Sequence, residues 1–267
     1  MPELLARAAA GALAAALIAF AARHAGALAT SGALAATGVG AVAVAGGWRW
    51  GVLLVLYFIA SSLLSRVGDG VKSRRTAGIG EKGRARDAAQ VLANGGVFAL
   101  CVLASALADG PAAASLGAAA AGALAAATAD TWATEIGTLL GGTPRAVLTL
   151  RPVPPGTSGG VSLAGTAAMI VGALFIALSA RTLALTAALA IVTLAGSAGA
   201  LADTLLGATL QERRWCDACA RGTERAVHDC GAPSRHVGGL AVMNNDVVNF
   251  LATLVGAAVA ALLAFAA

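Results

Sequence analysis

Charge is scarce in this 267-residue chain: 12% of its residues are Asp, Glu, Lys or Arg, against 58% that are hydrophobic. With a mean hydropathy of +0.82, too little polar surface remains to cover a water-exposed globule. The 34 glycines follow no G-X-Y period, which excludes a collagen-like chain. The polar residues are gathered into a few blocks, which excludes a disordered one. Alternating segments of roughly ten residues, the mark of a membrane barrel, are also missing. In their place stand Ala- and Leu-rich runs of about 20 residues. They predict an all-α class, a polytopic transmembrane helical bundle forming a single integral membrane domain over residues 1–267.

Runs long enough to cross about 30 Å at about 1.5 Å per residue predict eight spans, near 3–22, 25–46, 48–65, 87–108, 112–140, 162–180, 182–210 and 239–266. The first has only Arg7 as a basic flank and is followed by further spans, so it reads as a helix rather than a secretory signal. The second is weakest, rich in Gly, Ala and Thr, a composition suited to close helix packing. Of the 18 Lys and Arg residues, 15 fall in alternate connections: Arg23; Arg66, Lys72, Arg74, Arg75, Lys82, Arg84 and Arg86; Arg145 and Arg151; Arg213, Arg214, Arg221, Arg225 and Arg235. Only Arg7, Arg49 and Arg181 fall on the other side. The excess places three long polar loops in the cytoplasm and both termini outside, as in a multi-pass protein of a bacterial inner (plasma) membrane. The net charge of +5 is accounted for by topology and anionic head groups, and no nucleic-acid partner is expected.

The acids and amides inside the spans are informative, because an unpaired carboxylate near mid-bilayer costs several kcal/mol. Asp130 and Glu135 lie in the fifth span, Asp203 in the seventh and Asp246 in the eighth, which opens with Asn244, Asn245, Asp246 and Asn249. In the fourth, Gln90 and Asn94 share a helix face. Spans five and seven run the same way, and both contain Ala-Asp-Thr, at 129–131 and 202–204. The polar residues of spans four and eight lie within about two turns, roughly 10 Å, of the loop side, a depth similar to that of Asp203 and Asp130. One acidic, amide-rich cavity opening to the cytoplasm is therefore expected. Carboxylates sharing a cavity repel unless cations or protons separate them, and oxygen-only ligands suit Mg²⁺ with a substrate phosphate. A cation or proton relay fits the same acids, as do helix caps and pairs with loop arginines.

Two loops suit phosphate. Residues 151–166 (RPVPPGTSGGVSLAGT) join a Pro run to a Gly-rich turn at a helix start, where backbone N–H groups and the macrodipole favour anions. Arg151, Thr157, Ser158 and Ser162 add donors around Gly159 and Gly160. No Lys follows the glycines, so this is no Walker A loop. The third connection carries Lys72 and Arg74 among its seven basic residues, equally suited to phosphate or to anionic lipid. In the last polar loop Cys216, Cys219, His228 and Cys230 have the ligand number of a tetrahedral structural Zn²⁺ site, although their spacing is unlike common zinc fingers. His236 is a spare ligand, Cys101 a packing residue, and an inverted topology would favour a disulfide.

With these residues in view, the chain resembles the integral membrane family that includes plant and cyanobacterial phytyl-phosphate kinase and transmembrane protein 19. The carrying pieces are Ser61-Ser62, Gln90 to Gly95 (QVLANG), Ala129 to Gly137 (ADTWATEIG), Arg151 to Pro154 (RPVP), Gly156 to Thr166, Gly199 to Asp203 (GALAD), the Cys216 to Cys230 loop and Asn245 to Asn249 (NDVVN). They span nearly three quarters of the chain, making residues 61–257 a family-like core behind N-terminal helices in 1–60. The resemblance implies a kinase that moves a phosphoryl group from a nucleoside triphosphate, expected to be CTP, to an isoprenoid monophosphate such as phytyl phosphate, giving the diphosphate.

Residue roles come from the cavity instead. Asp130, Asp203 and Asp246 are the expected ligands of Mg²⁺ or of its bound water, Asn94, Asn245 and Asn249 orient phosphates or complete the metal shell, and Arg151 with the Gly159–Gly160 turn holds the donor. A phosphate monoester is largely ionised near neutral pH, so the lack of a His in the spans is no obstacle. The competing class is a transporter or flippase for phosphorylated lipids or cations. Membrane lipids are the expected surroundings, and the Gly- and Ala-rich faces permit but do not require an oligomer.

Overall fold

The computed structural model describes residues 2–76, 79, 85–186 and 188–267; Lys82 and Arg84 lie outside them. The helices are α1 (Pro2–His24), α2 (Thr30–Gly46), α3 (Trp48–Arg66), a short α4 (Asp69–Arg75), α5 (Ala88–Leu107), α6 (Gly110–Leu140), α7 (Leu163–Thr182), α8 (Leu189–Thr209) and α9 (Asn245–Ala266). Seven are long and apolar enough to cross a membrane, and α2, at 17 residues, falls short. The all-α polytopic class therefore holds, with α2 the expected weak member of the eight runs.

Helix starts follow capping chemistry. Asp87 accepts from the Gln90 amide while the Gln90 side chain accepts from the Asp87 amide, closing a capping box on α5. Ser162 accepts from Gly165 N–H to cap α7, and Asn244 accepts from Val247 N–H to cap α9. Two span boundaries need correction. The run 182–210 does not begin as helix: Leu185 N–H bonds Ala180 O (2.9 Å) and Ala184 takes a positive φ of 51°, which closes α7, so α8 begins only at Leu189. The run 239–266 becomes helical only from Asn245, because Leu240 N–H is held by Leu210 O (2.9 Å) and the helix awaits the Asn244 cap.

α6 is the axis of the bundle, packed by α3, α5, α7, α8 and α9. Its residues Gly117 to Ala129 are all buried. Alanine and glycine suit this position because lipid offers no hydrophobic drive between helices, so association depends on close backbone approach. A Cβ on Gly122 would stand 2.5 Å from Gly256 O, and one on Gly199 would stand 2.4 Å from Ala126 Cβ and 2.7 Å from Ala252 O. These contacts align α6, α8 and α9 at one level.

The polar connections collect at one end. Ala29 N–H bonds Arg86 O and Arg86 N–H bonds Ala27 O (both 3.0 Å), and Arg66 donates to Ala25 O (2.7 Å). Arg75 donates to Thr138 O (2.6 Å), Leu139 O (3.0 Å) and Gly142 O (2.9 Å), satisfying carbonyls at the end of α6. The helix-only expectation missed two small sheets here. Strands β1 (Arg145–Ala146) and β2 (Gly160–Val161) form a hairpin, while β3 (Arg213–Cys216), β4 (Arg221–Thr223) and β5 (Arg235–Gly238) form an antiparallel sheet in the order β4-β3-β5. Strands this short carry no readable alternation.

Lys72 pins α4 to this end. Its buried ammonium donates to Leu64 O (3.0 Å), Ser65 O (2.8 Å) and the Glu135 carboxylate, so its donors are spent on the fold. Glu135→Ala leaves that charge without its one anionic partner among the described residues and is expected to cost about 3 kcal/mol. Thermal unfolding in detergent checks this, and an unchanged midpoint would refute the pinning role.

Candidate functional site

α6 and α8 run parallel, and Ala126 meets Gly199. One turn nearer the loop end, the side chains of Asp130 and Asp203 meet as hydrogen-bonding neighbours. Asp203 Oδ2 is buried with no hydrogen-bond partner among the described residues. Two carboxyls in contact need a proton or a cation between them. The threonines of the two Ala-Asp-Thr segments are spent locally, Thr131 donating to Ala127 O (2.8 Å) and Thr204 to Ala200 O (3.0 Å). The repeated element that matters is therefore the aspartate.

Asp246 is buried in the first turn of α9, where the helix dipole favours an acid. Gly199 faces Ala252, so Asn249 and Asp246 lie toward the loop end of α9 at a depth near the Asp pair. Asn245 opens the same helix. Asn94 donates to Gln90 O (2.9 Å) and lies on α5, which Thr253 of α9 ties in through Ala93 O (3.0 Å).

Above the Asp pair, a cavity of about 860 Å³ is walled by α4, the 146–159 segment, the end of α8 and the β3–β4 sheet. Five guanidinium groups line it: Arg74, Arg75, Arg213, Arg214 and Arg221. Arg75 is tied to the end of α6 and Arg214 to Glu212 (2.6 Å), whereas Arg74, Arg213 and Arg221 make no side-chain hydrogen bond or ion pair with any described residue. Thr157, Ser158 and Gly159 line the cavity. The remaining loop candidates do not: Arg151 is exposed outside it, Gly160 pairs with Ala146 in the hairpin, Ser162 caps α7 and Lys72 is engaged with Glu135. Gly159 is required where it stands, since its φ is +77° and a Cβ would lie 2.5 Å from Ala208 Cβ and 2.7 Å from Ala208 Cα. The phosphate-suited turn is thus seated directly on the end of the helix that carries Asp203.

Glu224 joins the two features. Ser158 Oγ donates to its carboxylate, it lines the basic cavity, and it acts electrostatically on Asp203. On the other side of the Asp pair, Tyr57 lies within electrostatic reach of both Asp130 and Arg86. Tyr57 and Arg86 line an apolar groove of about 300 Å³ between α1, α2, α3 and α5, and Gln90 and Asn94 are its other polar residues. Arg86 stacks over Phe58 (5.8 Å) and donates to Ser62 (3.4 Å). Tyr57 of the groove thus acts electrostatically on Asp130, and Glu224 of the basic cavity on Asp203, while neither aspartate itself lines the groove or the cavity. The sequence pointed to the acids and the Gly turn, but it offered only topology for Arg213 and Arg221 and no signal for Glu224 or Tyr57.

The ligand atoms of Cys216, Cys219, His228 and Cys230 all lie within 4.8 Å of one another. His236, the spare candidate, lies on exposed β5 outside this group, and Cys101 is half-buried in α5. The His228 imidazole, aided by the Ala232 backbone, lowers the Cys230 thiol to about 6, while the hydrogen bond with Cys230 raises Cys219 to about 11.

The family model described as integral membrane protein DUF92 matches residues 13–257. The chain is similar to Protein PGR of Arabidopsis thaliana, 32% identical over 232 residues that cover 78% of this chain and 79% of that protein. It is also similar to an uncharacterized membrane protein of Synechocystis sp., 30% identical over 218 residues covering 80% and 73% of the two chains. A further uncharacterized membrane protein, from Methanocaldococcus jannaschii, is 28% identical over 218 residues covering 81% and 77%. No solved structure matches.

Proposed function

The chain belongs to the DUF92 family of integral membrane proteins, and on that premise we propose that it is a membrane-embedded phosphotransferase acting on an isoprenoid monophosphate. The observation that carries the reading is a pair of touching aspartates flanked by an apolar groove and by a cavity whose Arg74, Arg213 and Arg221 make no side-chain bond with any described residue. Phosphoryl transfer needs the first, a prenyl chain the second and a nucleoside triphosphate the third. The loop end, which holds most of the basic residues, faces the cytoplasm in this reading, where the nucleotide is found.

The donor's phosphates enter the basic cavity, where Arg74, Arg213 and Arg221 offer forked donors that match phosphate oxygens. The Thr157-Ser158-Gly159 turn supplies the opposite wall. The prenyl chain lies in the apolar groove, and Arg86 with Asn94 orients its phosphate toward the Asp pair. An oxygen of the acceptor phosphate bonds to the terminal phosphorus of the donor as the bridging bond behind that phosphorus breaks. A prenyl diphosphate and a nucleoside diphosphate result. The acceptor oxygen is already ionised near neutral pH, so no general base is needed. The buried, unpartnered Oδ2 of Asp203 beside Asp130 suits a hard divalent cation. Asp130 and Asp203 would hold Mg²⁺, with Asp246 nearby at the start of α9. When bound, the ion neutralises phosphate oxygen charge. CTP is the donor proposed here, and phytyl phosphate the acceptor.

The test incubates detergent-purified protein with Mg²⁺, each of the four nucleoside triphosphates, and phytyl or geranylgeranyl monophosphate, and reads diphosphate by mass spectrometry. Product with one preferred nucleotide is expected. Folded protein that makes none with any combination, yet moves a phosphorylated lipid in proteoliposomes without nucleotide, would establish the carrier instead. Within the kinase reading, Arg213→Ala and Arg221→Ala are each expected to raise the nucleotide KM about tenfold, the effect of one lost charge-assisted hydrogen bond. The prenyl-phosphate KM should stay unchanged, and equal shifts in both constants would argue against the assignment of the cavity.

A further inference from the structure

The three-stranded sheet that walls the basic cavity has almost no core of its own. Between Arg213 and Gly238, Cys216 is the only fully buried apolar side chain, while Thr223, His228 and Ser234 are buried polar groups. So small a unit needs a cross-link or a metal to hold one conformation. Its strands carry Arg213, Arg214 and Arg221 into the cavity, so a loose sheet would leave that wall undefined.

The four candidate ligands sit at its open end. Cys216 closes β3, Cys219 lies in the turn before β4, and His228 and Cys230 lie in the turn closed by the Val227–Pro233 bridge. With Zn–S of about 2.3 Å and Zn–N of about 2.0 Å, tetrahedral geometry puts two sulfurs about 3.8 Å apart, and a sulfur and a nitrogen about 3.5 Å apart. Cys216 Sγ and Cys230 Sγ are 3.7 Å apart, and His228 Nδ1 is 3.3 Å from Cys230 Sγ. A disulfide requires about 2.05 Å between sulfurs. All four ligand atoms lie within 4.8 Å of one another, so the pairs that stand wider than the tetrahedral spacing need to close by no more than about 1 Å to share one ion.

We propose that Cys216, Cys219, His228 and Cys230 bind one structural Zn²⁺ through three thiolates and His228 Nδ1, clamping the end of β3 and fixing the arginine wall of the cavity. The thiol protons pass to solvent on binding. Four protein ligands fill the coordination shell, so the site has no open position for chemistry. Zinc binding does not depend on the phosphotransferase reading, and the two fail separately.

The full-length protein, carrying an affinity tag without histidines, is purified in detergent and its metals are measured by inductively coupled plasma mass spectrometry. One zinc per chain is expected. Cys219→Ser and Cys230→Ser should lose it and Cys101→Ser should keep it. Growth on Co²⁺ should give the visible bands of a tetrahedral thiolate site in the unaltered protein, a readout that survives if the serine variants fail to fold. Chelation should expose residues 217–235 to limited proteolysis. Metal-free protein, a different bound metal, a disulfide among the three cysteines, or zinc retained by folded Cys219→Ser and Cys230→Ser would each overturn the proposal.

Discussion

Asp203→Asn is expected to lower diphosphate formation on the order of a hundredfold or more at saturating substrates, and Asp130→Asn to do the same. Asparagine keeps the shape of the side chain and removes its charge, so the change acts on the group that neutralises the transferring phosphate and leaves α6 and α8 packed as they were. The direction of the stability change separates function from structure. The two side chains touch across the α6–α8 contact, and replacing one carboxylate relieves repulsion between them. The unfolding midpoint should therefore hold or rise while turnover collapses. An aspartate kept for a structural partner would show loss of both. Because the two residues act as a unit, the double variant should be little worse than either single one. Asp109→Asn, at the exposed start of α6 on the opposite end, is the control and should leave turnover unchanged. Full activity in folded Asp203→Asn or Asp130→Asn would end the metal assignment for that residue.

Gly199→Ala is expected to be strongly damaging at the seam of α6, α8 and α9. The new Cβ would lie 2.4 Å from Ala126 Cβ and 2.7 Å from the Ala252 carbonyl oxygen. Neither neighbour is a flexible side-chain end, so α8 must move away from α6 and α9. Overpacking of this kind costs about 1–3 kcal/mol. Here it also acts one turn from Asp203, so turnover should fall beyond what the loss of folded protein explains, because displacement of about 1 Å at a reacting centre is enough to cost a hundredfold. Gly38→Ala supplies the comparison, since no atom lies within 4 Å of its added Cβ. It should be neutral or slightly stabilising through helix propensity. Equal unfolding midpoints for the two variants would refute the close-packed seam.

Much of this architecture is legible in the amino-acid sequence. The apolar runs predicted the long helices, and Asp130 and Asp203 stood out because a carboxylate inside an apolar helix is costly and so conspicuous. Their meeting was foreshadowed only by similar depth, and contact required the glycine and alanine faces that bring α6 and α8 together. The loops were read less well. Lys72 and Ser162 looked like phosphate ligands, but one pins α4 through Glu135 and the other caps α7. A Lys or Ser in a polar loop has the same one-dimensional signature whether its donors are spent on the fold or left for a ligand.

Composition and hydropathy thus determined that the chain is a polytopic helical bundle, which residues had to be shielded from lipid, and which end would gather the basic loops. They do so because the bilayer imposes one length and one polarity on every span. Only the tertiary structure decided that Glu224 lines the cavity and acts on Asp203, that Arg213 and Arg221 line the same cavity, and that Tyr57 of the apolar groove lies within electrostatic reach of Asp130. Those relations lie between segments far apart in the chain, and loop closure, short strand pairing and side-chain competition for partners set them rather than any local pattern.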